Sequence, residues 1–347
     1  MTHRRLALIL LAVGLIVAIG VALGSGQMAA PAIVASMLRT TLQVATPLTL
    51  GALAGVYCER AGVMNIAIEG MMLFAAFGGF FTAAAAYGLL GTAAGASLLL
   101  GIVAALVCGG LAGALLALLC VTYRVDQMIS GIVLNVLAVG LTGYFSSQWL
   151  SRGGSLHAAG VLPTLHPPGL ADLPTVGVVF QQQPIALAAL ALVVLTQAVL
   201  FHTVWGLRVR AVGEHPRAAD TAGIDVARMR WTSVVVGGLV AGLGGAYFTL
   251  ESVPAFEPLM TNGRGFIALA AMIFGGWTPF GAWAASLVFG AAQALQINAQ
   301  QFGLAVPSQL VGMLPYLLTM LALAGLAGRS RPPAADGQPY DPHQAEP

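Results

Sequence analysis

Long apolar runs recur along this chain from Leu6 to Leu326, broken by short clusters of Gly, Pro and charge. A run of about 20 apolar residues is long enough to cross a bilayer as a helix. Hydropathy places ten candidate spans near residues 6–24, 41–58, 63–87, 92–120, 128–149, 184–202, 231–250, 265–277, 280–297 and 308–327. The expected fold is therefore all-α, a polytopic integral membrane helix bundle of about ten transmembrane helices. The eighth run, Phe266 to Trp277, is too short to cross unaided and reads as a tilted or re-entrant piece. The first follows His3, Arg4 and Arg5 in the manner of a signal peptide, but its stretch from Leu6 to Leu23 exceeds the roughly 7 to 15 residues expected of one. Residues 1–40 are read as a retained helix and an external linker.

Composition agrees. Of 347 residues, 58% are hydrophobic and 7% charged, against about 25% charged in an ordinary soluble domain. The net charge of +2 gives no reason to expect nucleic acid as a partner; the lipid bilayer is the expected surrounding. All fourteen cationic residues are Arg. With ten crossings and the N-terminus inside, Arg4, Arg5, Arg60, Arg124, Arg208, Arg210, Arg217, Arg228, Arg230, Arg329 and Arg331 fall on the cytoplasmic side and only Arg39, Arg152 and Arg264 outside. That asymmetry is what the positive-inside rule requires, and it places both termini in the cytoplasm. Two long polar loops follow, an external one at 151–183 and a cytoplasmic one at 203–230. The tail 329–347, rich in Pro, Asp and Gln, has too few apolar residues to pack and is expected to be disordered.

Glycines sit four apart at Gly51 and Gly55, Gly91 and Gly95, Gly109 and Gly113, and Gly238 and Gly242, a spacing that lets helix backbones approach closely. Phe77-Gly78-Gly79-Phe80 is echoed by Phe274-Gly275-Gly276-Trp277, each after a Gly/Ala-rich span that ends near Glu59 or Glu251. The first copy loops inside and the second outside, which fits an inverted repeat of spans two to five and seven to ten.

Candidate chemistry is sparse. The chain has no Lys, so it contains no nucleotide-binding P-loop, which needs that residue on the phosphates. The motifs H-E-x-x-H and G-x-S-x-G are absent, the six His are scattered, and Cys58, Cys108 and Cys120 show no metal-site spacing. No catalytic residue, cofactor or metal site is indicated, and the chain is not read as an enzyme. The stretch from Tyr57 to Met71, YCERAGVMNIAIEGM, is the most polar near any span. A carboxylate at membrane depth costs about 2.5–3.5 kcal/mol on insertion scales, so Glu69 must face protein or water. Asn65 and Glu69 then lie either on a broken helix lining a translocation path or in an interfacial turn tied by Glu59, Arg60 and Glu69. Asn135, near Gln127, Ser130 and Thr142, is a further polar position, either on the path or joining helices.

The cytoplasmic loop from Trp205 to Val226, WGLRVRAVGEHPRAADTAGIDV, carries the sharpest pattern. Pro216 suits the first turn of a helix and Gly223 its left-handed end. This short helix either lies on lipid headgroups or presents Ala218, Ala219 and Ala222 as a small smooth face for a partner's groove.

Here the sequence resembles the permeases of bacterial ATP-binding-cassette importers for simple sugars, nucleosides and branched-chain amino acids. Their loop pattern R-A-x-G-x-N-P-x-A-A-x-x-x-G-I is matched by Arg210, Ala211, Gly213, Pro216, Ala218, Ala219, Gly223 and Ile224, with His215 in place of Asn. ERAGVMNIAIEGMM from Glu59, DQMISGIVLNVLA from Asp126 and GFIALAAMIFGGWTPFGA from Gly265 are also similar, the first most to the nucleoside-type branch. The resemblance implies a permease domain at 41–328 in the bacterial inner membrane, working with ABC ATPase subunits, a second and different permease subunit and an extracytoplasmic solute-binding protein. It implies that Arg210, Gly213, Glu214, Pro216, Ala218, Ala219, Gly223 and Ile224 form the ATPase-coupling segment, and that loop 151–183 meets the binding protein. The solute implied is a small polar one, a nucleoside or simple sugar. The competing class is an ion-coupled secondary transporter, which also uses inverted repeats and broken helices but needs intramembrane carboxylates, of which Glu69 is nearly the sole candidate.

Overall fold

In hydrocarbon every backbone N–H and C=O needs a partner inside the protein, so apolar runs of this length cross as helices. The computed structural model describes residues 30–88, 93–151, 159–165, 180–301 and 331–342, with the isolated positions 91, 177 and 313. Its helices are α1 (Ala30–Glu59), α2 (Ile68–Gly88), α3 (Ala94–Ala117), α4 (Gln127–Ser151), α5 (Pro184–His202), α6 (Val204–Glu214), α7 (Pro216–Thr221), α8 (Val226–Ala246), α9 (Arg264–Phe274) and α10 (Pro279–Gln301). Helices α3 and α8 each run on into a π turn, Leu118–Thr122 and Tyr247–Ser252. Among the described residues there is no strand, and seven helices are long and apolar enough to cross a membrane: α1 to α5, α8 and α10. The chain is a multi-pass membrane protein. The expected spans 6–24 and 308–327 lie outside the described residues. Two boundaries differ from expectation: residues 30–40 are the first turns of α1 and not a linker, and part of the tail is ordered, as described below.

The two most buried spans, α1 and α8, lie against each other, and the other helices pack around them. Helix α3 packs on α8 and α10 on α1, while α2 also meets α8 and α9 meets α1. The α3–α8 seam is built on Gly109, Gly113, Gly238 and Gly242; a Cβ added at Gly113 would lie 2.8 Å from the Val234 carbonyl oxygen. Gly51 and Gly55 do the same for α1 against Ala268 and Met272 of α9, whereas Gly91 and Gly95 face open space and form no seam. Helix α4 is the least buried span and turns Met128, Ile129, Ile132, Val133 and Val136 outward.

Two interruptions break the regular crossing pattern. After α1 the chain runs without helix through residues 63–67, with its polar groups met by α4: Met64 N donates to Gln127 Oε1 (2.7 Å) and Ile66 O accepts from Asn135 Nδ2 (2.9 Å). Residues 127 and 135 of α4 are about 12 Å apart at about 1.5 Å per residue, so this segment rises into the membrane before α2 begins. The second interruption precedes α9, whose eleven residues span only about 16 Å, half of a hydrocarbon core of about 30 Å. The short eighth run is thus a half-helix.

Candidate functional site

Each interruption ends on a carboxylate or amide that satisfies exposed backbone donors. Glu69, in the first turn of α2, accepts from Gly263 N through Oε1 (2.8 Å) and from Gly265 N through Oε2 (2.6 Å) at the start of α9. A carboxylate at a helix N-terminus answers both the free N–H groups and the positive end of the helix dipole. Gly265 is required there, since a Cβ would come within 2.6 Å of the Glu69 backbone. Glu251 does the same for α5, accepting from Ile185 N (2.7 Å) and Ala186 N (3.1 Å). Asn135 Oδ1 accepts from Gly70 N (2.8 Å), and the fully buried Asn65 accepts from Ala67 N (3.0 Å) and donates to Cys58 Sγ (3.2 Å). Asn65, Glu69 and Asn135 are therefore brought together around the broken segment, each with polar atoms committed to the fold. Glu59 and Arg60 are not tied to Glu69; their partner is Trp277, after α9.

At the end of the bundle that carries Arg60, Arg124, Arg210 and Arg230, the segment from Thr203 to Ile224 is built locally. Thr203 caps α6 by accepting from Gly206 N (3.1 Å), and α6 buries Val209, Val212 and Gly213. Arg210 lies over the Phe201 ring at 4.8 Å, a cation–π contact. Gly213 crosses the Arg60–Gly62 backbone so closely that a Cβ would strike the Arg60 carbonyl. Pro216 opens α7 at the position where its missing N–H costs nothing, and His215 supplies no side-chain cap. The helix closes with Gly223 N donating to Asp220 O (2.8 Å) and Ile224 N to Ala219 O (3.0 Å), with Gly223 at φ +79°. This is the paired bond pattern of a left-handed helix stop.

Sequence reasoning misassigned one face of α7. Ala219 is buried in the chain itself, with Val212 and Val226 and against Ile224, Met229 and Tyr340. A helix of one and a half turns has too little periodicity to say which alanine faces inward. The exposed face is Ala218, Asp220, Thr221 and Ala222, beside Glu214 and His215.

The missed feature is the C-terminal segment. Residues 331–342, expected to be disordered, lie along α6 and α7: Ala335 N donates to Gly213 O (2.9 Å), Tyr340 OH to Asp220 Oδ2 (2.8 Å), and Arg230 Nη1 to Gln338 O (2.8 Å). Asp341 pairs with Arg124 at 2.9 Å. The composition argument failed because backbone groups and single polar side chains hold this segment, with only Pro333, Ala335 and the Tyr340 ring adding apolar burial. Between it and α7 opens a groove lined by His215, Pro216, Arg217, Ala218, Pro339 and Tyr340. At the opposite end of α5, loop residues 159–165 and 180–183 join the bundle through Leu162 N to Leu250 O (2.8 Å) and Gln183 Nε2 to Glu251 O (3.0 Å).

Comparison with known proteins places this architecture. The chain is 39% identical over 313 residues to the guanosine ABC transporter permease protein NupQ of Bacillus subtilis, covering 89% of this chain and 97% of that protein. It is 37% identical to the nucleoside ABC transporter permease protein NupC of Lactococcus lactis, covering 89% and 96%, and 36% identical to the putative glucose ABC transporter permease protein TsgC13 of Haloferax volcanii, covering 83% and 85%. No solved structure matches it significantly. The family model for the permease component of branched-chain amino acid transport systems matches residues 37–323, from the first turns of α1 past α10, and the chain belongs to that family of ABC transporter permeases.

Proposed function

We propose that this chain is one of two different permease subunits of an ABC importer for a nucleoside, with simple sugars the neighbouring class, and that α7 is the helix on which an ATPase subunit docks. The observation that carries the docking assignment is α7 itself: a short helix opened by Pro216 and stopped at Gly223, held to the bundle by Ala219, with Ala218, Thr221 and Ala222 left outward. Small exposed side chains beside a groove suit insertion into a partner. The nucleoside assignment rests on the relatives from Bacillus subtilis and Lactococcus lactis, and the unlike second permease on the presence in those organisms of the more distant relatives NupP, 28% identical, and NupB, 35% identical over 109 residues.

In this reading the arginine-rich end is cytoplasmic, both termini lie on that side and the crossings number ten. The reciprocal packing of α3 on α8 and α10 on α1, and of α2 on α8 and α9 on α1, supports an inverted repeat relating α1–α3 to α8–α10. Asn65, Glu69 and Asn135 then act as the frame of the translocation path, shaping the broken segments. No observation favours ion coupling: both Glu69 oxygens are engaged by backbone amides.

The test is co-purification of the ATPase with detergent-solubilised permease, with guanosine uptake measured alongside. Ala218→Arg places a long charge on the exposed face of α7; loss of the ATPase and of uptake, with the permease still folded, is the expected result. Retention of both would overturn the assignment of α7.

A further inference from the structure

We propose that the C-terminal segment 331–342 is a strut that ties α7 to the buried contact between Glu59 and Trp277, and so carries movement of a docked ATPase into the membrane bundle. The proposal rests on the reading of α7 as the docking helix and adds the route by which its movement is passed on.

The segment has two outer anchors and an inner one. Outside, Tyr340 OH donates to Asp220 Oδ2 on α7 and Asp341 pairs with Arg124 in the turn between α3 and α4. Inside, Arg230 of α8, 1% exposed, donates to Gln338 O, Ala335 N donates to Gly213 O, and the Ala335 carbonyl lies against Gly62 in the turn that follows Glu59 at the end of α1. Glu59 in turn accepts from Trp277 Nε1 at 2.6 Å, and Arg60 Nε donates to Trp277 O at 2.7 Å. A chain of contacts therefore runs from α7 through the segment and the turn at 60–62 to the turn between α9 and α10. Close approach is built into the backbone: Gly62, at φ +79°, leaves room for the Ala335 carbonyl, which a Cβ would approach to 3.1 Å.

A six-residue helix cannot hold its own orientation, since isolated helices shorter than about 12 residues are marginal even with good helix formers. Besides the small cluster around Ala219, this segment fixes α7. Pro332, Pro333 and Pro339 restrict the segment's unfolded conformations and reduce the entropy lost on docking. Packed and hydrogen-bonded groups linked in series move together or lose their contacts, which makes such a line able to transmit displacement.

The experiment is hydrogen-exchange mass spectrometry on the assembled permease and ATPase, with and without a non-hydrolysable ATP analogue, for the wild type and for Tyr340→Phe combined with Asp341→Asn. These changes remove the two outer polar contacts while keeping the Tyr340 ring and the inner contacts in place. In the wild type the analogue is expected to alter exchange at both 216–223 and 275–279; in the variant the response at 216–223 persists and that at 275–279 falls at least fivefold. An undiminished response at 275–279 in the variant, or none there in the wild type, overturns the strut. Failure of the docking assignment is visible separately, as no response at 216–223 together with an ATPase that Ala218→Arg does not displace.

Discussion

The indole of Trp277 and the carboxylate of Glu59 are 218 positions apart in the chain and joined by a 2.6 Å hydrogen bond. Trp277 is held at φ +53°, in the left-handed region, and follows Gly276 at φ +63°. A bulky residue there costs of order 1–3 kcal/mol and persists only where its surroundings over-determine it. The surroundings here are Glu59 on the side chain and Arg60 on the carbonyl, so the end of α1 sets the stop of α9.

Trp277→Phe keeps most of the apolar volume and removes the indole donor, leaving the buried Glu59 one partner short. A loss of about 1–3 kcal/mol is expected, read as a lowered thermal unfolding midpoint of the permease in lipid nanodiscs. An unchanged midpoint would show that the hydrogen bond contributes nothing net.

Two substitutions, one in α7 and one at the stop that follows it, separate folding from docking. Ala219→Arg buries an unpaired charge among Val212, Val226 and Tyr340, at a cost of several kcal/mol, and is expected to free both α7 and the C-terminal segment, seen as rapid proteolysis at 214–223 and 331–342. Gly223→Val meets nothing within 4 Å of the new Cβ, so its cost is the left-handed backbone alone, roughly 1–2 kcal/mol. It should weaken ATPase binding about 5- to 30-fold and leave the proteolysis pattern near wild type.

The ends of α7 were legible because Pro and Gly act through their own backbones: Pro216 sits at the start and Gly223 takes the left-handed conformation expected of it. The same stop recurs at Gly62 and Gly276, where Val63 N donates to Cys58 O and Trp277 N to Met272 O. Hydropathy alone did not separate these stops from the surrounding glycines. Glu69 was readable as a carboxylate that must be satisfied, but its partners are the amides of Gly263 and Gly265, and a backbone donor leaves no mark in composition. The C-terminal segment was missed for the same reason, since Gly213 engages it through a carbonyl oxygen and the segment engages Arg230 through that of Gln338.

Docking of the C-terminal segment should depend on pH through Asp336. Burial pushes its carboxyl up from 3.8 to about 6, with the Gly337 amide, Glu59 and the Arg230 charge pulling the other way only in part. The docked form thus holds the proton more tightly than the free form. Its contribution to docking is full below about pH 4 and is lost as pH rises through 6. A spin label at Ala334→Cys, in a background lacking the native cysteines, should become more mobile between pH 5 and pH 7. Asp336→Asn, which cannot ionise, should flatten that dependence; mobility still rising over that range in the Asn variant would assign it to another group.

Glu69 offers the sharpest test of the broken helix. Its two oxygens cap the first amides of α9, and no other side chain is hydrogen-bonded to Gly263 N or Gly265 N among the described residues. Glu69→Leu leaves both amides unmet beside a new apolar group, and each buried unsatisfied donor costs about 1–3 kcal/mol, so a loss of roughly 2–6 kcal/mol is expected. Glu69→Gln keeps one accepting oxygen and should lose about half as much. Glu257→Leu, at an exposed position in the segment before α9, should change stability by less than about 0.5 kcal/mol. Guanosine uptake by reconstituted transporters, normalised to folded permease, should rank the three in the same order. If the cap serves only to hold α9, both Glu69 variants regain uptake when a lower temperature restores folding. If the carboxylate also binds a coupling ion, uptake in Glu69→Gln stays absent however well it folds, and the reading of an ATP-driven permease framed by Glu69 gives way to an ion-coupled one.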